Sequence, residues 1–126
     1  MNRCPFCSFN RDRLVAESEV AIALRDAFPV TEGHTLIVPR RHVSTIFQLS
    51  PEDLAALWAI VGEVRKRLHK DLTIDGINIG VNDGSAAGQT VEHAHIHVIP
   101  RRKGDVPDPR GGVRNIIPSK AHYWEE

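Results

Sequence analysis

The sequence predicts an α+β fold: an antiparallel sheet of about five strands carrying one long helix and a short helical turn. Three observations predict it. Short apolar or alternating runs recur at 14–16, 20–24, 35–38, 77–82 and 93–98, separated by turn-forming or charged residues, which is the pattern of strands. A single amphipathic stripe over about 51–70 has helical spacing. The length, 126 residues, suits one domain with a modest core.

The first two runs, Leu14-Val15-Ala16 and Val20-Ala21-Ile22-Ala23-Leu24, flank Glu17-Ser18-Glu19 and read as a hairpin. Arg25 and Asp26 follow, then a turn-rich link to Gly33 and His34. Thr35-Leu36-Ile37-Val38 is a third strand that Pro39 stops. Residues 43–49 form the short helical turn. Ser50 then caps the long helix, Pro51 suits its first position, and Glu52 and Asp53 favour its positive end. Leu54, Leu57, Trp58, Val61, Val64 and Leu68 make its apolar stripe. The basic residues at 65–70 suit its C-terminus and need no nucleic acid to explain them. In the fourth strand Ile77, Ile79 and Val81 face one way, and Asn78, Gly80 and Asn82 the other. The small-residue loop 83–88 has no Gly-Lys-Ser/Thr and is not a P-loop, yet its backbone N–H groups are free to approach an anion.

Lys+Arg and Asp+Glu both number 16, so the formal net charge is +0. No global field draws the chain to nucleic acid or to a membrane, and any anion site must be local. Met1-Asn2-Arg3-Cys4-Pro5 lacks the apolar centre of a signal peptide, and no apolar run approaches the ~20 residues of a membrane span. The expected location is cytoplasmic.

Two features carry chemistry. His93, His95 and His97 alternate with Ala94, Ile96 and Val98, so three imidazoles share one face of a predicted strand. A solvated face has no need of three imidazoles. A metal site or an imidazole catalytic site does. Alternate residues of a strand lie ~6–7 Å apart, so one metal could take two of these rings but not comfortably three. Cys4 and Cys7 form the second feature. Free thiols, a redox pair and half of a zinc site all fit that spacing.

The run Gly88-Gln89-Thr90-Val91-Glu92-His93-Ala94-His95-Ile96-His97-Val98-Ile99, with Asn82-Asp83-Gly84 upstream, resembles the signature of the histidine triad (HIT) superfamily of nucleotide hydrolases and transferases. The likeness extends from about Cys4 to Arg102. It implies a HIT-like fold, an enzyme acting on the α-phosphate of a nucleotide, and His95 as the nucleophile that forms a covalent nucleotidyl intermediate. It implies that His97 assists at the phosphate and leaving group. Asp26 would receive the ribose hydroxyls, and Asn82, Gly88, Gln89 and Thr90 the phosphate. In branches with a Cys pair, a structural Zn²⁺ is implied at Cys4, Cys7, His42 and His93, with no catalytic metal required. His34 either supports the site or is a buried structural histidine.

The resemblance further implies a homodimer and an adenine nucleotide as substrate, with diadenosine tetraphosphate-type compounds first and nucleoside phosphoramidates, or regulatory nucleotide binding, as alternatives. Residues 1–105 are expected to form the domain and 106–126 a tail that docks on it or on the dimer partner. Arg101, Arg102 and Lys103, with Arg110 and Arg114 of the tail, are expected to meet distal phosphates.

Overall fold

The computed structural model describes residues 4–125; residues 1–3, on which part of the N-terminal reading rests, and residue 126 lie outside the described residues. Five strands, β1 (Leu14–Glu17), β2 (Ala21–Arg25), β3 (Thr35–Pro39), β4 (Gly76–Val81) and β5 (Ile96–Arg101), form one sheet. Every pairing is antiparallel, in the order β1-β2-β3-β5-β4. The last strand of the chain is therefore interior, between β3 and β4. One helix, α1 (Pro51–Asp71), covers one face. This is the fold class the sequence predicts.

The start of α1 follows from its first residues. The Ser50 side chain accepts from the Asp53 N–H at 3.1 Å, Pro51 occupies the first turn, and Glu52 and Asp53 face the positive end of the dipole. Leu57, Ile60, Val61, Val64 and Leu68 bury against Ala23, Ile37, Ile96 and Val98. Trp58, expected in the stripe, sits on its flank and is 43% exposed, while Ile60 takes the buried place. The opposite sheet face holds a smaller cluster of Phe6, Ile22, Leu24, Leu36 and Val38, with Phe9, Leu14 and Val91 packed against it. The sheet is thus covered by a helix on one side and by the N-terminal segment on the other. Among the described residues, no helix is long and apolar enough to cross a membrane.

Two strand expectations shift. Pro39 ends β3 inside the ladder, paired with Ala21. The predicted strand through 93–98 instead begins at Ile96, because the Ala94 N–H leaves the ladder direction and donates to the Val43 carbonyl at 2.7 Å. His93 and His95 therefore precede the strand, and His97 lies within it. Beyond β5 the chain folds through two short 3-10 turns, Gly112–Ile116 and Pro118–Lys120. Arg114 donates to the carbonyls of Ala121 and Lys120 there, and the Arg110 guanidinium lies 4.4 Å from the Trp124 ring.

Gly33 delivers the chain into β3. Its φ is +92°, and a Cβ there would meet Leu72 Cδ1 at 2.8 Å, Leu68 Cδ2 at 3.1 Å and Pro100 Cγ at 3.2 Å. Gly33→Ala combines a strained backbone with a clash against the end of α1. It is expected to lower stability by about 1–3 kcal/mol, measured by urea unfolding. An unchanged midpoint would show that this corner is not tightly packed.

Candidate active site

The stretch 93–97 meets three separate groups of partners. The first lies at the N-terminal end of the chain. His93 is fully buried, and its Nε2 stands 2.7 Å from the Pro39 carbonyl oxygen. A carbonyl only accepts, so Nε2 carries the proton and Nδ1 keeps its lone pair. That Nδ1 lies 3.2 Å from Cys4 Sγ and 3.6 Å from Cys7 Sγ, and Cys7 Sγ lies 3.2 Å from His42 Nδ1. The four ligand atoms all fall within 4.8 Å of one another. In a tetrahedral site with Zn–S about 2.3 Å and Zn–N about 2.0 Å, sulfur and nitrogen ligands stand about 3.5 Å apart. The donor set and its spacing fit a Zn²⁺ ion, and the carbonyl behind His93 is the outer partner that such a ligand needs.

The second group surrounds His95, which is 9% exposed. Its Nδ1 lies 2.9 Å from the carbonyl oxygen of His93. The same logic puts the proton on Nδ1 and leaves a lone pair on Nε2. Phe6 packs against this ring at 4.9 Å between centroids and against His93 at 5.8 Å. Phe6 lies between the two cysteines, and the sequence offered no sign that it would touch both rings.

The third group meets His97. Its ring centroid is 5.0 Å from that of His95. On β5, His97 pairs with Leu36 on one side and Gly80 on the other, and a Cβ at Gly80 would meet nothing within 4 Å. The sheet is open beside His97 on that side. His34 Nε2 lies 3.0 Å from His97 Nδ1, and Asp26 Oδ2 lies 3.4 Å from the same His34 nitrogen. Asp26 and His34 meet because the Asp26 N–H donates to the His34 carbonyl at 2.9 Å, where β2 leaves β3. His34 is 3% exposed. Of the two readings the sequence left open for it, contact with the histidine face is the one its position supports.

Burial holds His97 down to about 4, with His95 and His34 adding to the effect and Asp26 opposing it. Burial first also lowers His34 and His93 below their ordinary value. The ring of His97 is therefore neutral near pH 7.

The residues expected at the phosphate are divided. Asn82, Gly88 and Thr90 are exposed on the loop that precedes His93. A Cβ on Gly88, whose φ is +99°, would stand 3.9 Å from the Asn82 carboxamide. Gln89 is turned inward. Its oxygen accepts from the Gly84 N–H at 2.9 Å, and its amide donates to the carbonyls of Ser44 at 2.9 Å and Val91 at 3.0 Å. Its carboxamide braces the loop. The adjoining cleft of about 420 Å³ carries Asp83 and Glu92, a poor setting for phosphate.

The basic run is also engaged. Arg101 forms a two-pronged pair with Asp105 at 2.7 and 2.8 Å, donates to Asn78 at 2.7 Å, and pulls the Asp105 carboxyl down to about 2. Arg102 donates to the carbonyls of Thr73 and Glu32, and Arg110 pairs with Asp108 at 3.0 Å. With Arg114 bound to Ala121 and Lys120, these guanidinia hold the chain to itself.

Comparison with known proteins agrees with this geometry. The family model described as HIT domain matches residues 9–104. An uncharacterized HIT-like protein of Saccharolobus solfataricus is 35% identical over 126 residues, covering 97% of this chain and 88% of that protein. The bis(5'-adenosyl)-triphosphatase of Dictyostelium discoideum is 40% identical over 88 residues, 70% of this chain and 59% of the relative. A zinc-bound histidine triad family protein from Mycobacterium smegmatis superposes with a TM-score of 0.68 at 38% identity, over 75% of this chain and 73% of that one.

The shift of His97 sets a pH dependence. Unfolded, its pKa is near 6.5; folded, it is about 4. Between those values the unfolded chain binds more protons, so stability rises with pH and is lost as pH falls from 6.5 toward 4. His97→Asn is expected to flatten that slope in urea unfolding at pH 4.5, 5.5 and 7. An unchanged slope would assign acid sensitivity to other groups.

Proposed function

The chain belongs to the HIT domain family, and from that premise we propose that it is a nucleotide hydrolase or nucleotidyl transferase working through a covalent nucleotidyl–His95 intermediate. One observation carries the reading: the His95 Nδ1 bond to the His93 carbonyl at 2.9 Å. It fixes the tautomer, so that the lone pair of the neutral ring lies on Nε2, which is what attack on phosphorus requires. The Nε2–P bond forms as the bond from phosphorus to the leaving oxygen breaks, and the electron pair departs with that oxygen. His97, beside His95, donates a hydrogen bond from Nε2–H to the leaving phosphate oxygen, which departs as the anion. Water then attacks the same phosphorus and releases a proton to solvent, the P–N bond breaks, and the pair returns to Nε2. Asn82, Thr90 and the backbone near Gly88 receive the phosphate oxygens, where donors matter most as charge builds. Gln89 supports them by holding the loop. Asp26 takes the ribose hydroxyls.

The substrate class we assign is a dinucleoside polyphosphate with adenine as the base, hydrolysed at an α-phosphate. The triphosphatase among the relatives supports it. A Zn²⁺ ion at Cys4, Cys7, His42 and His93 would tie the N-terminal segment to the stretch that holds His95, and would take no part in the reaction. We also assign a homodimer that continues the sheet, because among the described residues β4 pairs with β5 alone and has no strand on its other side. A cytoplasmic setting suits two free cysteines.

His95→Ala is expected to lower kcat by at least about 10³-fold while the fold and binding of AMP persist. Quenched reactions of the unaltered protein with labelled diadenosine tetraphosphate should yield a nucleotide attached to His95. Turnover by the variant within tenfold of the parent would overturn the mechanism. Metal analysis is expected to give one Zn²⁺ per chain, and Cys4→Ser to lower the melting temperature more than it changes KM. A zinc-free protein of unchanged stability would remove the metal from the account.

A further inference from the structure

Asp26, His34 and His97 place a carboxylate and two imidazoles within reach of one another. Such a group is either a metal site or a chain of ordered hydrogen bonds. Val30 decides between them. Its backbone N–H lies 3.2 Å from His34 Nδ1. A backbone N–H only donates, so His34 Nδ1 holds a lone pair, and the proton of the neutral ring is on Nε2. A metal on Nε2 would drive a proton onto Nδ1, against the Val30 N–H.

The His34 Nε2–H therefore faces two acceptors, His97 Nδ1 at 3.0 Å and Asp26 Oδ2 at 3.4 Å. By accepting at Nδ1, neutral His97 carries its own proton on Nε2. Asp26 Oδ1 is already taken by the Phe28 N–H at 2.8 Å, so Oδ2 is the oxygen left for a ligand. The titratable groups facing His97 are His34, Asp26 and His95. Its cross-strand partners, Leu36 and Gly80, have none.

We propose that Asp26, His34 and His97 form a relay in which ribose occupancy at Asp26 sets how firmly His34 fixes the tautomer of His97. The inference rests on the assignment of Asp26 to ribose in the function proposed above. In the free protein, Asp26 Oδ2 competes for the His34 proton. A ribose hydroxyl donating to Oδ2 occupies that acceptor, and the His34 N–H passes wholly to His97. No proton changes residue; one N–H changes its share between two partners. The result is a His97 that presents Nε2–H to the leaving oxygen when a ribonucleotide is bound. His34 is a positioning residue in this scheme, since it acts on the reaction only through His97. Discrimination between ribose and other alcohols then enters kcat as well as binding.

Nitrogen-15 NMR of the histidine rings in the full chain reports which nitrogen carries the proton. At pH 7, His34 and His97 are both expected as Nε2–H tautomers. AMP is expected to move the His34 Nε2 proton downfield, and 2′,3′-dideoxy-AMP to leave it in place. His34→Phe removes the donor, so His97 should show both tautomers and kcat should fall about 10²-fold, with KM changed less than about threefold. His34→Gln can accept from Val30 and donate to His97, and should restore one tautomer and kcat to within about fivefold of the parent. A His34 Nε2 without a proton, a single His97 tautomer in His34→Phe, or equal shifts from the two nucleotides would overturn the relay. So would a His34→Gln protein no better than His34→Phe. Where His34→Phe does not fold by circular dichroism, His34→Gln and the nucleotide pair decide. Failure of the parent reading looks different: AMP and its dideoxy analogue then bind alike and nothing is trapped on His95. Failure of the relay alone leaves both of those intact, with the His34 proton unmoved.

Discussion

An imidazole is useful only when one of its nitrogens is tied down, and the site is built on that constraint. A neutral ring has one donor and one acceptor, and which is which depends on its neighbours. His93 gives Nε2–H to Pro39, His95 gives Nδ1–H to His93, and His97 meets His34 at Nδ1. Three rings within five residues thus have their tautomers fixed, His93 and His97 as Nε2–H and His95 as Nδ1–H. Each free nitrogen then has a defined character: a lone pair toward the cysteines, a lone pair on His95, and a proton on His97.

The departure from regular strand geometry makes this possible. In a continuous ladder the carbonyl of His93 would be directed at a neighbouring strand. With Ala94 drawn to Val43 instead, that carbonyl turns to the ring two residues ahead. His97, one step inside β5, is held by the ladder between Leu36 and Gly80. The residue between cysteines 4 and 7 closes the arrangement, since the Phe6 ring packs edge-on against both His93 and His95. Burial in turn favours the neutral forms of His34, His93 and His97. Among the described residues no buried side-chain nitrogen or oxygen lacks a partner, so the burial is compensated.

The sheet, its strands and α1 were legible in the sequence because they depend on local periodicity. Alternation marks β4, three-four spacing marks α1, and Ser50-Pro51 marks where it begins. Trp58 was misplaced because its spacing fits the stripe as well as its neighbours do, and only the packed structure shows it half-exposed. The grouping of Cys4, Cys7, His42 and His93 could be expected from the resemblance, and the fold brings the four together. Gln89 was not legible as a brace: nothing in the sequence shows that its carboxamide bonds Gly84, Ser44 and Val91. The own-chain pairing of the arginines of 101–114 was not legible for the same reason. Sequence shows a charge, but only the fold shows that Asp105, Asp108 and several carbonyls already hold it. His34 is the converse. Nothing local distinguishes it, and its value comes from a partner 63 positions away.

The engagement of those arginines bears on how the proposed chemistry treats charge. The formal net charge is +0, and Arg101, Arg102, Arg110 and Arg114 are turned to their own chain. A polyphosphate approaching His95 would therefore be met chiefly by neutral donors: loop N–H groups, Asn82, Thr90 and the imidazole of His97. Fixed cations would grip the whole polyphosphate equally in ground state and transition state, which deepens binding without hastening the step. Neutral donors placed at one phosphorus act where charge gathers as the leaving oxygen departs. On this view the scarcity of unengaged cations among the described residues at the site suits turnover, and the arginines after β5 serve to hold that segment in place.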